Sequence, residues 1–168
     1  SHNGWPVVVL DHPGSDSEAL EALVKGKLPL PGAEVIPDRM NDLDSVLQAK
    51  KLGKIDIPLE NVVLMGHSLG SLTAFLASGV KVDDQLENRC QKILDNLSLT
   101  NLSSLLQCQL IDISLSNRKN IKNLSAIVGM NSFGSFLWKK NIDNQINVPL
   151  FLTGGTFDLI TPSISEQL

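Results

Sequence analysis

The stretch "NVVLMGHSLGSLTAF", residues 61 to 75, sets Ser68 between two glycines, directly after a run of apolar β-formers and directly before a helix-like run. G-x-S-x-G in that setting is the pattern of a nucleophile on a tight strand-to-helix turn, with glycines at 66 and 70 leaving room for the bend. A serine hydroxyl attacks a carbonyl only when a base takes its proton, and the base in turn needs a carboxylate to orient it. The stretch "FLTGGTFDLITP" offers that carboxylate as Asp158, in a Gly-rich loop beyond another apolar run. The backbone N–H of Leu69, at the start of the helix after the serine, is placed to donate to a developing oxyanion. The chemistry expected is acyl transfer, with Ser68 as nucleophile and Asp158 as the orienting acid. Competing structural roles are plain: Ser68 as a helix N-cap after a buried strand, and Asp158 as a loop aspartate or as the N-cap of "DLITPSISEQL".

Such a pair needs a parallel sheet that presents both residues at one edge. Four apolar runs read as strands covered on both faces: residues 6–10, 61–66, 125–131 and 148–155. The long segments between them read largely as helix, so the strands pair in parallel through crossovers. The fold class expected is α/β, a mostly parallel sheet with helices on both faces. In "DRMNDLDSVLQAKKLG", Met40, Leu43, Val46 and Leu47 fall on one helical face and Gly53 is the stop; "SLTAFLASG" continues a second helix to Gly79. The first connection begins as a turn-rich loop, "DHPGSDSE". Residues 83–123, with helix-like pieces "DQLENRCQKILDNL" and "LTNLSSLLQCQLI", read as a helical, lid-like insertion.

At 168 residues the chain has the size of one domain, 1–168, with enough apolar content to bury a core. Its formal charge of -4 and lack of basic clusters argue against nucleic acid or an anionic membrane surface as partner. No apolar run reaches the roughly 20 residues of a bilayer span. Cys90 and Cys108 lack metal-ligand or C-x-x-C spacing, and neither a metal nor an organic cofactor is implied. The N-x-S triplets at Asn96, Asn101 and Asn123 are what an asparagine-rich chain produces by chance.

These residues resemble the α/β-hydrolase superfamily, and more closely its dienelactone hydrolase and platelet-activating-factor-acetylhydrolase-like branch, which includes exported cyanobacterial members. "NGWPVVVLDHPGSDS" resembles that branch's fourth strand and following loop, "DRMNDLDSVL" its helix before the nucleophile, and "GHSLGSLTAFLASG" the nucleophile turn itself. "LSLTNLSSLLQCQ", "LSAIVGMNSFGSFLW" and "VPLFLTGGTFDLITPSISEQL" follow in the family's order. The resemblance implies a Ser-Asp-His triad acting on carboxylic esters or related acyl substrates, with Ser68 as nucleophile, Asp158 as acid and Leu69 as one oxyanion donor.

Two features depart from the family. Its chain order is Ser, Asp, His, yet His2, His12 and His67 all precede Ser68, and none follows Asp158 in the ten residues to Leu168. His67 is expected to point away from the serine hydroxyl, as a packing or rim residue, while His12, at the end of the first apolar run, could face the site. The family's His-Gly oxyanion loop should precede "SHNGWPVVVL", and Pro13 has no N–H to replace it. The sequence therefore reads as the middle of a larger hydrolase, an incomplete domain, with a non-catalytic binding module of the same fold as the alternative. Cys90 and Cys108 are open to two readings: a disulfide across the insertion, as the resembling exported proteins suggest, or two buried thiols. The first favours an extracytoplasmic home and the second the cytoplasm. Oligomeric state is not legible. The 168-residue chain alone is expected to turn over p-nitrophenyl esters negligibly; turnover lost in Ser68→Ala but kept in His12→Ala and His67→Ala would reveal a base elsewhere.

Overall fold

The computed structural model describes residues 3–27, 32–58, 60–95, 102–112, 121–132, 134–138, 145–158 and 160–166; His2, Asn96 and Asn101 lie outside them. The chain divides into two compact units, Ser1–Glu60 and Asn61–Leu168.

The first unit is helical. Helix α1, Ser17–Val24, starts where the sequence suggested only a loop: Asp16 is extended, and its carboxylate accepts the Ala19 N–H at 2.9 Å, with Glu18 favouring the positive end of the helix. Helix α2, Ile36–Lys51, follows a short 3₁₀ turn, Ala33–Val35, and carries a proline in its first turn, where the missing N–H costs nothing. It buries Ile36 and Met40 and half-buries Leu43, Val46 and Leu47, the face its periodicity marks. It stops at Gly53, whose φ of 68° lets the Lys54 N–H turn back to the Ala49 carbonyl at 2.9 Å.

Residues 6–10 do not form the expected strand. They join no ladder among the described residues, and Val7, Val8 and Val9 stand exposed at 64%, 45% and 86%. An unbroken apolar run signals a strand only where neighbouring strands take up its N–H and C=O groups, and the run itself cannot show whether they do.

The second unit is built on three parallel strands: β1 (Val62–His67), β2 (Leu124–Met130) and β3 (Leu150–Thr153), in spatial order β1-β2-β3. The all-parallel arrangement agrees with the α/β expectation, reduced from four strands to three, but the helices expected on both faces are found on one: among the described residues the face of Val63, Met65 and Phe151 is exposed. Register aligns His67 with Met130 and Met130 with Thr153, so the three strands end level. Helix α3, Leu69–Ala77, packs across β1 and β2. Its Leu72 and Phe75 join Ile127 of β2 in the core, where Phe75 meets Trp138 edge to face at 6.2 Å. The other face carries Val63, Met65 and Phe151, exposed at 48%, 65% and 62%.

Within the span read as an insertion, helix α4, Leu86–Asp95, packs on helix α5, Leu102–Cys108, which runs on into a 3₁₀ turn, Gln109–Asp112. A disulfide joins Cys90 to Cys108 with their Cα atoms 5.7 Å apart, resolving the two open readings. Closing a loop with a separation of 18 residues removes denatured-state entropy worth about 3 kcal/mol.

The short segment 134–138 ties the insertion to the rest of the unit. Arg89 of α4 donates to the Trp138 carbonyl at 3.1 Å and to Asp83 at 2.8 Å, and its guanidinium lies 5.2 Å from the Phe136 ring centre. Gln107 of α5, fully buried, accepts the Phe136 N–H at 2.8 Å and donates to Ser103 and Glu166. Glu166 ends the short helix α6, Ser163–Glu166, and is buried although acidic. Its Oε2 accepts the N–H groups of Gly134 and Ser135 and the Ser135 hydroxyl, at 3.1, 3.3 and 2.9 Å. Burial of a carboxylate is tolerated because donors replace the water it loses. Glu166→Ala should leave these donors buried without an acceptor and cost about 3 kcal/mol in urea denaturation; a change below about 0.5 kcal/mol would show the network to be dispensable.

Candidate active site

Ser68 sits between the last residue of β1 and the first of α3, with φ 51° and ψ −117°. A β-carbon dislikes this region, and a non-glycine residue held there costs of order 1–3 kcal/mol. The cause lies two residues away on each side. A β-carbon added at Gly66 would fall 2.1 Å from the carbonyl carbon of Gly70 and 2.5 Å from the Ser71 nitrogen, so strand and helix approach here as only glycine allows. Alanine at 66 would push the helix off the strand.

The serine stands at the N-cap position of α3 but does not behave as a cap. An N-cap residue is normally extended and its side chain accepts a helix N–H; Ser68 is not extended and its hydroxyl makes no such bond. Its carbonyl instead accepts the Ser71 hydroxyl at 2.7 Å and the Ser71 N–H at 2.9 Å, which fixes the turn from inside. Leu69 opens the helix, where the first N–H groups have no intrahelical acceptor.

Level strand ends then line up the neighbours. The Ser68 N–H donates to the Met130 carbonyl at 3.0 Å, extending the β1–β2 ladder one residue past β1. The Asn131 N–H donates to the Thr153 carbonyl at 2.7 Å, doing the same between β2 and β3. Ser68, Asn131 and the loop carrying Asp158 therefore lie at the carboxyl edge of one sheet. Ligand sites in open parallel sheets form at this edge.

Asp158 is held on every side. Its Oδ1 accepts the N–H groups of Ile160 and Thr161 at 2.8 and 2.9 Å; its Oδ2 accepts the Thr161 hydroxyl at 2.8 Å and the Asn131 side-chain amide. The backbone N–H of Thr161 and the Asn131 amide, with the Thr161 hydroxyl and the Ile160 N–H, favour the ionised form against the opposing effect of burial and hold the carboxyl well below the usual carboxylate range. Thr161 is buried, so its hydroxyl is fixed where it donates. The chain is thus organised to keep Asp158 a carboxylate. Neither partner residue was apparent from sequence; the "DLIT" spacing does carry the signal of an aspartate that bonds the N–H groups two and three residues on.

His67 ends β1 with its side chain exposed, on the same face as Val63 and Met65. His12, in the first unit, is buried with Nδ1 2.7 Å from Oδ2 of Asp42 on α2, so a partner of its own already orients the ring. Among the described residues no cluster of three or more His, Cys, Asp or Glu could hold a metal ion, and no helix is long and apolar enough to cross a membrane. No family model, no curated protein and no solved structure matches the chain.

The lowered Asp158 pKa has a definite sign in stability. Folding favours the ionised form, so the contribution is complete above the unfolded value of about 3.9 and is lost as pH falls toward the folded one. The stability gap between the native chain and Asp158→Asn should therefore stay level from pH 7 to 5 and close below about pH 4 in urea denaturation. A gap unchanged down to pH 2 would show that ionisation contributes nothing to the loop.

Proposed function

We propose that the chain belongs to a serine hydrolase of the α/β-hydrolase superfamily, of the dienelactone hydrolase and platelet-activating-factor-acetylhydrolase-like kind, acting on carboxylic esters or related acyl substrates. The observation that carries this reading is the Ser68 turn: a serine at φ 51° between strand and helix, with a hydroxyl that makes no capping bond. Strain of this kind persists where surrounding structure enforces it, and it aims the hydroxyl outward rather than into the helix.

In this reading the Ser68 oxygen attacks the substrate carbonyl as a base removes its proton. The tetrahedral oxyanion forms opposite the Leu69 N–H at the positive end of α3. Asp158 orients the base and stabilises its protonated form; collapse of the intermediate expels the alcohol, and water then releases the acyl group from Ser68. The helical insertion shapes the acyl pocket as a lid, and the Cys90–Cys108 disulfide favours an oxidising, extracytoplasmic compartment.

One observation favours the second reading, a binding module that kept the turn without the chemistry: both oxygens of Asp158 already carry two donors each. The two readings separate on the full gene product. For a hydrolase, a fluorophosphonate should label Ser68, Ser68→Ala should abolish labelling and ester turnover, and Asp158→Asn should lower turnover by about 10⁴-fold. Turnover that survives Ser68→Ala would remove the hydrolase assignment, and a folded gene product with neither labelling nor turnover would establish the binding module.

A further inference from the structure

Asp158 has four hydrogen-bond donors, and a carboxylate offers about four lone-pair positions, so its acceptor capacity is filled from within the chain. An incoming N–H donor can bind only by displacing one of them. Three belong to residues 160 and 161, in the turn that Asp158 itself closes, and buried Thr161 cannot withdraw without unwinding that turn. The fourth, the Asn131 amide, reaches across from the end of β2. Its main chain is pinned independently: φ is 43° and its N–H is bonded to the Thr153 carbonyl. The side chain can therefore turn away while the backbone stays. Strand order places β2 between β1 and β3, so the Asn131 amide approaches Asp158 from the side of the Ser68 strand.

We propose that the Asn131 amide is a placeholder donor: it occupies, on the side of Asp158 nearest the Ser68 strand, the lone pair of Oδ2 that the N–H of an imidazole-type base takes, and it yields that position when such a base binds. The proposal rests on reading Asp158 as the acid that orients a base. Asn131 acts through Asp158 and is a positioning residue; it keeps the carboxylate ionised and in place while no base is bound. The exchange leaves Asp158 with four donors before and after, and releases the asparagine amide to water.

The test follows the Asp158 carboxyl carbon by ¹³C NMR in the 168-residue chain while imidazole is added at pH 6 and constant ionic strength. Asn131→Gly removes the amide and suits the positive φ; Asn131→Leu keeps a side chain of similar size without a donor or a charge, and serves if the glycine variant does not fold. In the native chain the resonance should move only at the high end of the imidazole titration, where the base displaces the amide. In the variants it should move saturably, with imidazole bound at least about tenfold more tightly than by the native chain. Native chain and variants that titrate alike, or variants that do not respond, overturn the proposal. Failure of the hydrolase reading shows separately, as fluorophosphonate labelling of the full gene product at a residue other than Ser68, which leaves the imidazole titrations unchanged.

Discussion

The contact between Gly66 and Gly70 is the constraint on which the rest of the second unit depends. Because the α3 backbone passes within reach of a β-carbon at position 66, the chain must reverse within one residue, and that residue, Ser68, takes up the strain. The strain is held by what lies on either side. Below it, the Ser68 N–H is bonded to the end of β2; beyond it, α3 buries Leu72, Ala74, Phe75 and Ala77. Each fully buried large side chain contributes about 1.5–3 kcal/mol, enough in sum to offset a single unfavourable backbone conformation.

A second set of contacts fixes the opposite side of the edge. The Asp158 loop runs from β3 to α6, and each end is tied: Asp158 to Asn131 and its own turn, Glu166 to Gly134, Ser135 and Gln107. Residues 134–138 also receive Arg89 and Gln107 from α4 and α5, so the disulfide-linked helices and Glu166 of α6 rest on the same segment. The carboxyl edge is in this sense braced from the segment after β2, while Ser68 and Asp158 follow the strands on either side.

What the sequence disclosed and what it hid follow from the range of the interactions. The Ser68 turn was legible because its causes, an apolar run, two glycines and a helical run, lie within about fifteen residues. The α2 stop at Gly53 was legible for the same reason. Helix α1 was obscured by "HPGSDS", whose turn residues mask an aspartate cap acting only three residues ahead. The run at 6–10 misled because apolar content is local whereas a ladder partner is not. Asn131 and Glu166 were invisible: their partners are 27 and 31 to 59 residues away, and neither residue type announces burial or a partner. The disulfide lay between these cases, since two cysteines allow one pairing but only helix packing decides whether it forms.

The manner in which Glu166 is bound also determines which substitutions this region can absorb over evolutionary time. Two of its donors are main-chain N–H groups, but their positions are not free: Gly134 has φ 137° and a β-carbon there would lie 2.8 Å from the Trp138 ring nitrogen, and Ser135 adds its hydroxyl. Side-chain identity matters at the two ends of the buried link, Gln107 and Glu166, which are 59 positions apart in the chain. A change at 107 or 166 strands its partner in the interior, and a change at 134 or 135 disturbs the donors that meet Glu166. Gln107 and Glu166, distant in the chain, thus form one buried lock, closed from the other side by Gly134 and Ser135.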